Sequence, residues 1–147
     1  MTIDIAEFCR ALVADAPDAI IYADADGLVR IWNRGAERIF GFSQSEALGK
    51  TLDIIIPEQL RKRHWDGYAR TMRTGVTRYG AGDVLAVPAI RKDGLRISVE
   101  FTILPFTNRD GQVIGIAAIL RDVSSRFKEL KDLRAKLTVA QAGNPVL

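Results

Sequence analysis

The feature that most narrows the fold is a strictly alternating run, Ile97-Ser98-Val99-Glu100-Phe101-Thr102-Ile103, between two Asp-Gly turns. Alternation with period two puts Ile97, Val99, Phe101 and Ile103 on one buried face of a strand. Lys92-Asp93-Gly94 on one side and Arg109-Asp110-Gly111 on the other supply the turn chemistry that reverses a chain between antiparallel neighbours. Strands are therefore predicted over residues 78–87, 97–105 and 112–122. Two more are predicted upstream, over residues 19–23 and 28–32, joined through Asp24-Ala25-Asp26-Gly27.

Helical signals fill the remaining segments. Ile5, Phe8, Leu12 and Val13 recur at helical spacing over residues 3–14, and Pro17 stops that helix. Residues 36–42 read as helix, and Ser43 followed by Glu46 is a capping-box pattern for another short helix ending at Gly49. Pro57 opens a longer helix, residues 58–74, with Gly75 as its C-cap. Beyond Asp122, Phe127, Leu130, Leu133 and Leu137 form one apolar stripe among charged residues. That stripe fits a two-helix seam, so a homodimer through the C-terminal helix is expected, with the N-terminal helix as a second contributor. The order predicts an α+β fold: a five-stranded antiparallel sheet with helices on one face. The expected division is an N-terminal helix at 1–14, the domain proper at 15–123 and a signalling helix with a frayed tail at 124–147.

Composition limits the function. The chain has 147 residues, one histidine and one cysteine. Nucleophilic triads, Cys-based zinc clusters and internal disulfides have almost nothing to draw on, and no GxxxxGK[ST] loop is present. The chain is therefore expected not to be an enzyme. A net charge of +3, with bases interleaved among acids, does not point to nucleic acid. No apolar run reaches the roughly 20 residues that span a bilayer, and Asp4 and Glu7 are unlike a secretory leader. A cytoplasmic location without membrane contact is expected.

Several segments resemble PAS domains. Residues 18–27, then Ile31-Trp32-Asn33, residues 36–42 and residues 46–50 are similar to the N-terminal half of that family. Residues 91–94 and 120–126 are similar to its C-terminal half, so the resemblance covers about residues 12–127. It implies a sensor: a ligand pocket between sheet and helices, and a C-terminal helix that passes the signal to a downstream kinase or regulator. Short helices with glycine breaks suit such a switch. The family's flavin-adduct photochemistry needs a reactive cysteine on a later helix, and Cys9 lies in the first one.

The helix after Pro57 resembles that of heme-binding PAS domains of bacterial oxygen-sensing kinases and a related phosphodiesterase. His64, seven residues after Pro57 and eleven before Gly75, matches their iron-ligating histidine, and imidazole is a good axial ligand for heme iron. The resemblance implies heme b on His64, with a diatomic gas or redox state as the signal. It places Arg70 and Arg78 as partners of the propionates, Tyr68 and Met72 beside the cofactor on the same helix, and Tyr79, Phe101, Ile103 and Leu120 as the distal wall. One departure stands out: the oxygen-bonding arginine of the kinases falls near Val84, and neither Gly82 nor Val84 can donate a side-chain hydrogen bond. Read as residues alone, His64 can equally be structural, pairing with Asp66 or capping. Phe101, Ile103 and Leu120 can be plain core, Trp65 a half-buried residue or a lid, and Trp32 and Asn33 packing at a helix–strand junction. The alternative function is a PAS module without heme, with an unknown organic ligand or none, that dimerises and relays signals as an adaptor.

Overall fold

The computed structural model describes residues 1–78, 80 and 82–143. Strands β1 (Ala19–Asp24), β2 (Val29–Trp32), β3 (Leu85–Ile90), β4 (Arg96–Thr107) and β5 (Val113–Asp122) form one sheet in the order β2-β1-β5-β4-β3. Every pairing is antiparallel. Gly94 and Gly111 take positive φ at the two Asp-Gly turns, as those turns require. Directly opposed residues share a face, so Ala19, Leu120, Phe101 and Leu85 form one row across β1, β5, β4 and β3. Ile21, Ala118 and Ile103 form the next row.

Helices α1 (Ile5–Asp15), α2 (Arg34–Phe40), α3 (Gln44–Ala47), α4 (Glu58–Thr74) and α5 (Ser124–Ala142), with a 3-10 turn at Leu52–Ile54, complete the fold. The core joins the inner sheet face to α2, α3 and the segment after the 3-10 turn through Ile21, Trp32, Phe40, Ala47, Ile55 and Val99, among others. Two helices contribute nothing to it: neither α1 nor α5 buries a single residue. The apolar stripes of α1 (Ile5, Phe8, Leu12) and α5 (Phe127, Leu130, Leu133, Leu137) face outward. No helix among the described residues is long and apolar enough to cross a membrane.

The first strand of the second half departs from the sequence expectation. It spans Leu85–Ile90 rather than residues 78–87. The Asp83 carboxylate accepts the Gly80 N–H at 2.8 Å and the Asp83 N–H reaches the Gly80 carbonyl at 3.1 Å, so a turn occupies the predicted strand start. At the other end, Ile90 N–H bonds the Ile55 carbonyl and carries the strand further. Pro88 is tolerated because β3 is an edge strand.

The capping box forms as the sequence predicts. Glu46 accepts from Ser43 N–H at 3.0 Å, and its other oxygen takes Lys92 Nζ at 2.6 Å. Those bonds, led by the Lys92 ammonium, bring the Glu46 carboxyl down to about 2 from its ordinary 4.5. A depressed carboxylate favours the fold above its unfolded value and ceases to as pH falls through its folded value. The thermal midpoint of the protein should therefore exceed that of Glu46→Gln at pH 5, and the gap should close between pH 4.5 and about 2. A gap that stays constant across that series contradicts the assignment.

Candidate functional site

Helix α4 is cut from the chain at both ends by local chemistry. Pro57 stands at its N-cap, and Gly75 adopts φ 72° at its C-cap, with its N–H on the Thr71 carbonyl at 2.9 Å. Three side chains then fix it to β1 and to the segment around the 3-10 turn. The Tyr68 hydroxyl donates to the carbonyls of Asp24 (2.6 Å) and Ala23 (3.1 Å). Trp65 Nε1–H donates to Asp53 Oδ1 at 2.7 Å, and its ring lies where a Cβ on Gly27 would stand. Arg61 donates to the carbonyls of Ile56 and Asp53. The β1–β2 turn and the 3-10 turn thus hold the helix by its Trp65 and Tyr68 side.

His64 sits between these anchors. Its ring centroid is 4.6 Å from that of Trp65 in an edge arrangement and 5.8 Å from that of Tyr68. Nδ1 is buried and has no hydrogen-bond partner. Burial lowers the imidazole pKa from its ordinary value, against a smaller opposing pull from the Asp53 carboxylate. The ring is therefore held neutral near pH 7, the form that ligates metals. Asp66 is not its partner, because that carboxylate pairs with Lys62 at 2.7 Å. Asp53, which accepts from Trp65, does not bond Nδ1 either. An orphaned buried polar atom carries a desolvation penalty of about 1–3 kcal/mol. A neutral imidazole with an unused buried nitrogen fits the axial ligand that heme needs. No cluster of three or more His, Cys, Asp or Glu that could cage a bare ion exists among the described residues. Heme brings four nitrogens of its own, so a single side chain suffices.

The other predicted site residues divide. Phe101, Ile103 and Leu120 do share the inner sheet face. Leu120 is buried, whereas Phe101 and Ile103 stay partly open, and Val87 on the same face is 40% exposed. The β3–β4 end of the inner face is thus incompletely covered. Arg70 and Arg78 are exposed, and neither forms an ion pair among the described residues. Tyr68 serves as an anchor, and burial raises its phenol pKa so that it stays a donor. Met72 is half-buried and lines an open groove of about 490 Å³ with Asp26, Trp65 and Arg73. Val84 precedes β3 and is 62% exposed, away from any wall. Tyr79 lies outside the described residues. Sequence reasoning placed Gly27 in its turn, where it takes positive φ, but missed that Trp65 packs on it and bonds Asp53.

Comparison with known proteins bears on the fold. The family profile described as PAS fold matches residues 13–127. The sensor protein FixL of Bradyrhizobium diazoefficiens is 34% identical over 94 residues, covering 64% of this chain and 18% of its own. The oxygen sensor protein DosP of Escherichia coli is 28% identical over 127 residues, 86% of this chain and 15% of its own. The chain thus spans less than a fifth of the length of these curated relatives. Among solved structures, the PAS domain of a Colwellia psychrerythraea protein superposes with a TM-score of 0.72 at 20% identity, over 83% of this chain and 99% of that one.

Proposed function

This chain belongs to the PAS-fold family, and we propose that it is a heme-holding sensory domain in which His64 ligates the iron. The carrying observation is the neutral His64 imidazole with its buried, unpartnered Nδ1. Likeness to an oxygen sensor and to FixL supports the same reading. In it, Arg70 and Arg78 offer guanidinium groups to the propionates, and Phe101, Ile103 and Leu120 supply an apolar wall. Bound heme supplies reversible gas ligation and a one-electron redox change. Val84, where the oxygen-bonding arginine of the kinases falls, lies exposed and away from the wall, so in this reading bound oxygen is not held by a side chain there, and carbon monoxide, nitric oxide or a redox state are equally open as the signal. The domain itself senses and relays in the cytoplasm, and catalysis lies with a downstream kinase or regulator. Hemin titration tests the ligand: a saturating Soret band at one equivalent is expected, and a protein that stays colourless overturns the heme reading in favour of a module with an organic ligand or none.

Relay needs a second copy in this reading. Helix α5 has 19 residues, buries none of them, and exposes 57% of Phe127 and 61% of Leu133. A lone helix of that length is marginal in water. Light scattering on the eluting protein should give twice the 16.2 kDa of one chain, and a monomer at micromolar concentration contradicts the dimer.

A further inference from the structure

Helices α1 and α5 leave the sheet at one corner. The chain enters β1 at Ala19, which pairs with Leu120 near the end of β5, and Asp18 and Arg121 form an ion pair at 3.0 Å across that corner. Both helices are held at their roots. The Val13 carbonyl accepts from Asn33 Nδ2, Asp15 pairs with Arg34, and the Ser98 N–H donates to Ser124 Oγ. Beyond those roots each helix carries an apolar stripe that stays exposed: Ile5, Phe8 and Leu12 on α1, and Phe127, Leu130, Leu133 and Leu137 on α5.

The charges on the two helices differ in sign. From Asp4 to Asp15, the acids Asp4, Glu7 and Asp15 stand against the single base Arg10. On α5, the bases Arg126, Lys128, Lys131, Arg134 and Lys136 stand against Glu129 and Asp132. Among the described residues none of these α5 charges forms an ion pair, and neither Asp4 nor Glu7 does. Placement sharpens the contrast. At about 100° per residue, Arg126 and Arg134 fall inside the arc of the α5 stripe. Asp4 and Asp15 border the arc of the α1 stripe, and Arg10 falls on the opposite side of that helix. A parallel seam of α5 on α5 would set Arg134 against Arg134, and like charges so opposed repel. Arg126 also stands in the first turn of α5, which holds no acid and where the helix dipole disfavours a cation.

We infer that the α5 stripe of one copy is covered by the α1 stripe of a second copy, the acid-bordered face on the base-bearing one, and that the contact occurs twice about a two-fold axis. Both stripes stay exposed in a single chain, so the cover comes from another molecule, and the opposite charges select α1 rather than a second α5. The inference rests on the dimer reading and adds which surfaces meet. It fixes the sign of the salt dependence. Screening weakens an attraction between unlike charges, so the dimer dissociation constant should rise about fivefold from about 0.05 to about 0.5 M salt. A seam that opposes like charges tightens over the same range.

Disulfide trapping in a mixture, with light scattering across the salt series, tests this. Cys9 is the only cysteine, is exposed, and lies beside the α1 stripe. The parent protein is mixed in equal amount with a Cys9→Ser protein that also carries Glu129→Cys, Leu133→Cys or Ala140→Cys, three positions along one edge of the α5 stripe. Cysteines on different helices then sit on different molecules, so a link between them reports α1 against the partner's α5. After mild oxidation the linked peptides are identified by mass spectrometry. Links from Cys9 to an α5 cysteine, in about tenfold excess over links between like cysteines, support the inference. Like-to-like links in equal or greater yield overturn it and leave the dimer standing, as does a dissociation constant that is unchanged or falls with salt. A protein that stays monomeric at micromolar concentration overturns both.

Discussion

His64→Ala is expected to cut hemin affinity at least about a hundredfold while leaving the fold in place. Loss of a supporting residue around a metal ligand already costs about 10–100-fold, and loss of the ligand itself costs no less. The effect on the empty protein should be small. Removing the ring forfeits its contacts with Trp65 and Tyr68, but it also removes a buried nitrogen that has no partner. These oppose each other, so the change in unfolding free energy should stay within about 1 kcal/mol. A purely structural histidine predicts the reverse: a loss of about 2 kcal/mol or more with no change in ligand uptake. Hemin titration and urea unfolding of the same variant separate the two roles. Added imidazole should restore part of the parent spectrum, because the vacated position can accept it. A variant that binds hemin as the parent does, with an unshifted Soret band, places the iron ligand elsewhere.

How much of this was legible depends on the range of the interaction. The ends of α4 were legible because Pro57 and Gly75 act through backbone geometry at the helix ends themselves. The sharing of one face by Phe101 and Ile103 was legible because side chains alternate along a strand, whatever it pairs with. The start of β3 was not, since the turn at Gly80 and Asp83 is closed by a side chain that strand propensity does not weigh. The clamp on α4 was invisible for another reason. Trp65 reaches Asp53 across 12 residues and Tyr68 reaches Asp24 across 44, and no local pattern encodes such pairs. The stripe of α1 was legible as helix, and that Ile5, Phe8 and Leu12 stay exposed emerged only from the structure. At His64, the family resemblance picked out the residue, while its neutrality and its orphaned nitrogen came from packing.

Asn33→Ala is expected to be the most damaging single polar truncation in the domain, with a loss of about 3 kcal/mol of folding free energy. The side chain is 5% exposed and does three jobs at once. Its Oδ1 caps α2 by accepting from Ala36 N–H at 2.9 Å, and it also accepts from Ile20 N–H at 2.8 Å, at the head of β1. Its Nδ2 donates to the Val13 carbonyl at 2.9 Å in α1 and to the Asp18 carbonyl at 3.0 Å. Alanine leaves two donors and two acceptors without their partner in a place that water does not reach readily, and each orphan costs about 1 kcal/mol or more. The backbone cannot close over the gap, because Gly35 already brings it against the Asp18 carbonyl with no room even for a Cβ. Asn33→Asp keeps the acceptor but turns the donors into charge facing two carbonyls, so it should be no better than alanine. Asn33→Ser keeps a capping oxygen and should fall between alanine and the parent. None of these changes touches α4, so each variant that still folds should take up hemin as the parent does. Urea unfolding of the series, read beside hemin titration, checks both halves, and a loss below about 1 kcal/mol for Asn33→Ala contradicts the assignment of Asn33 as the joint between α1, β1 and α2.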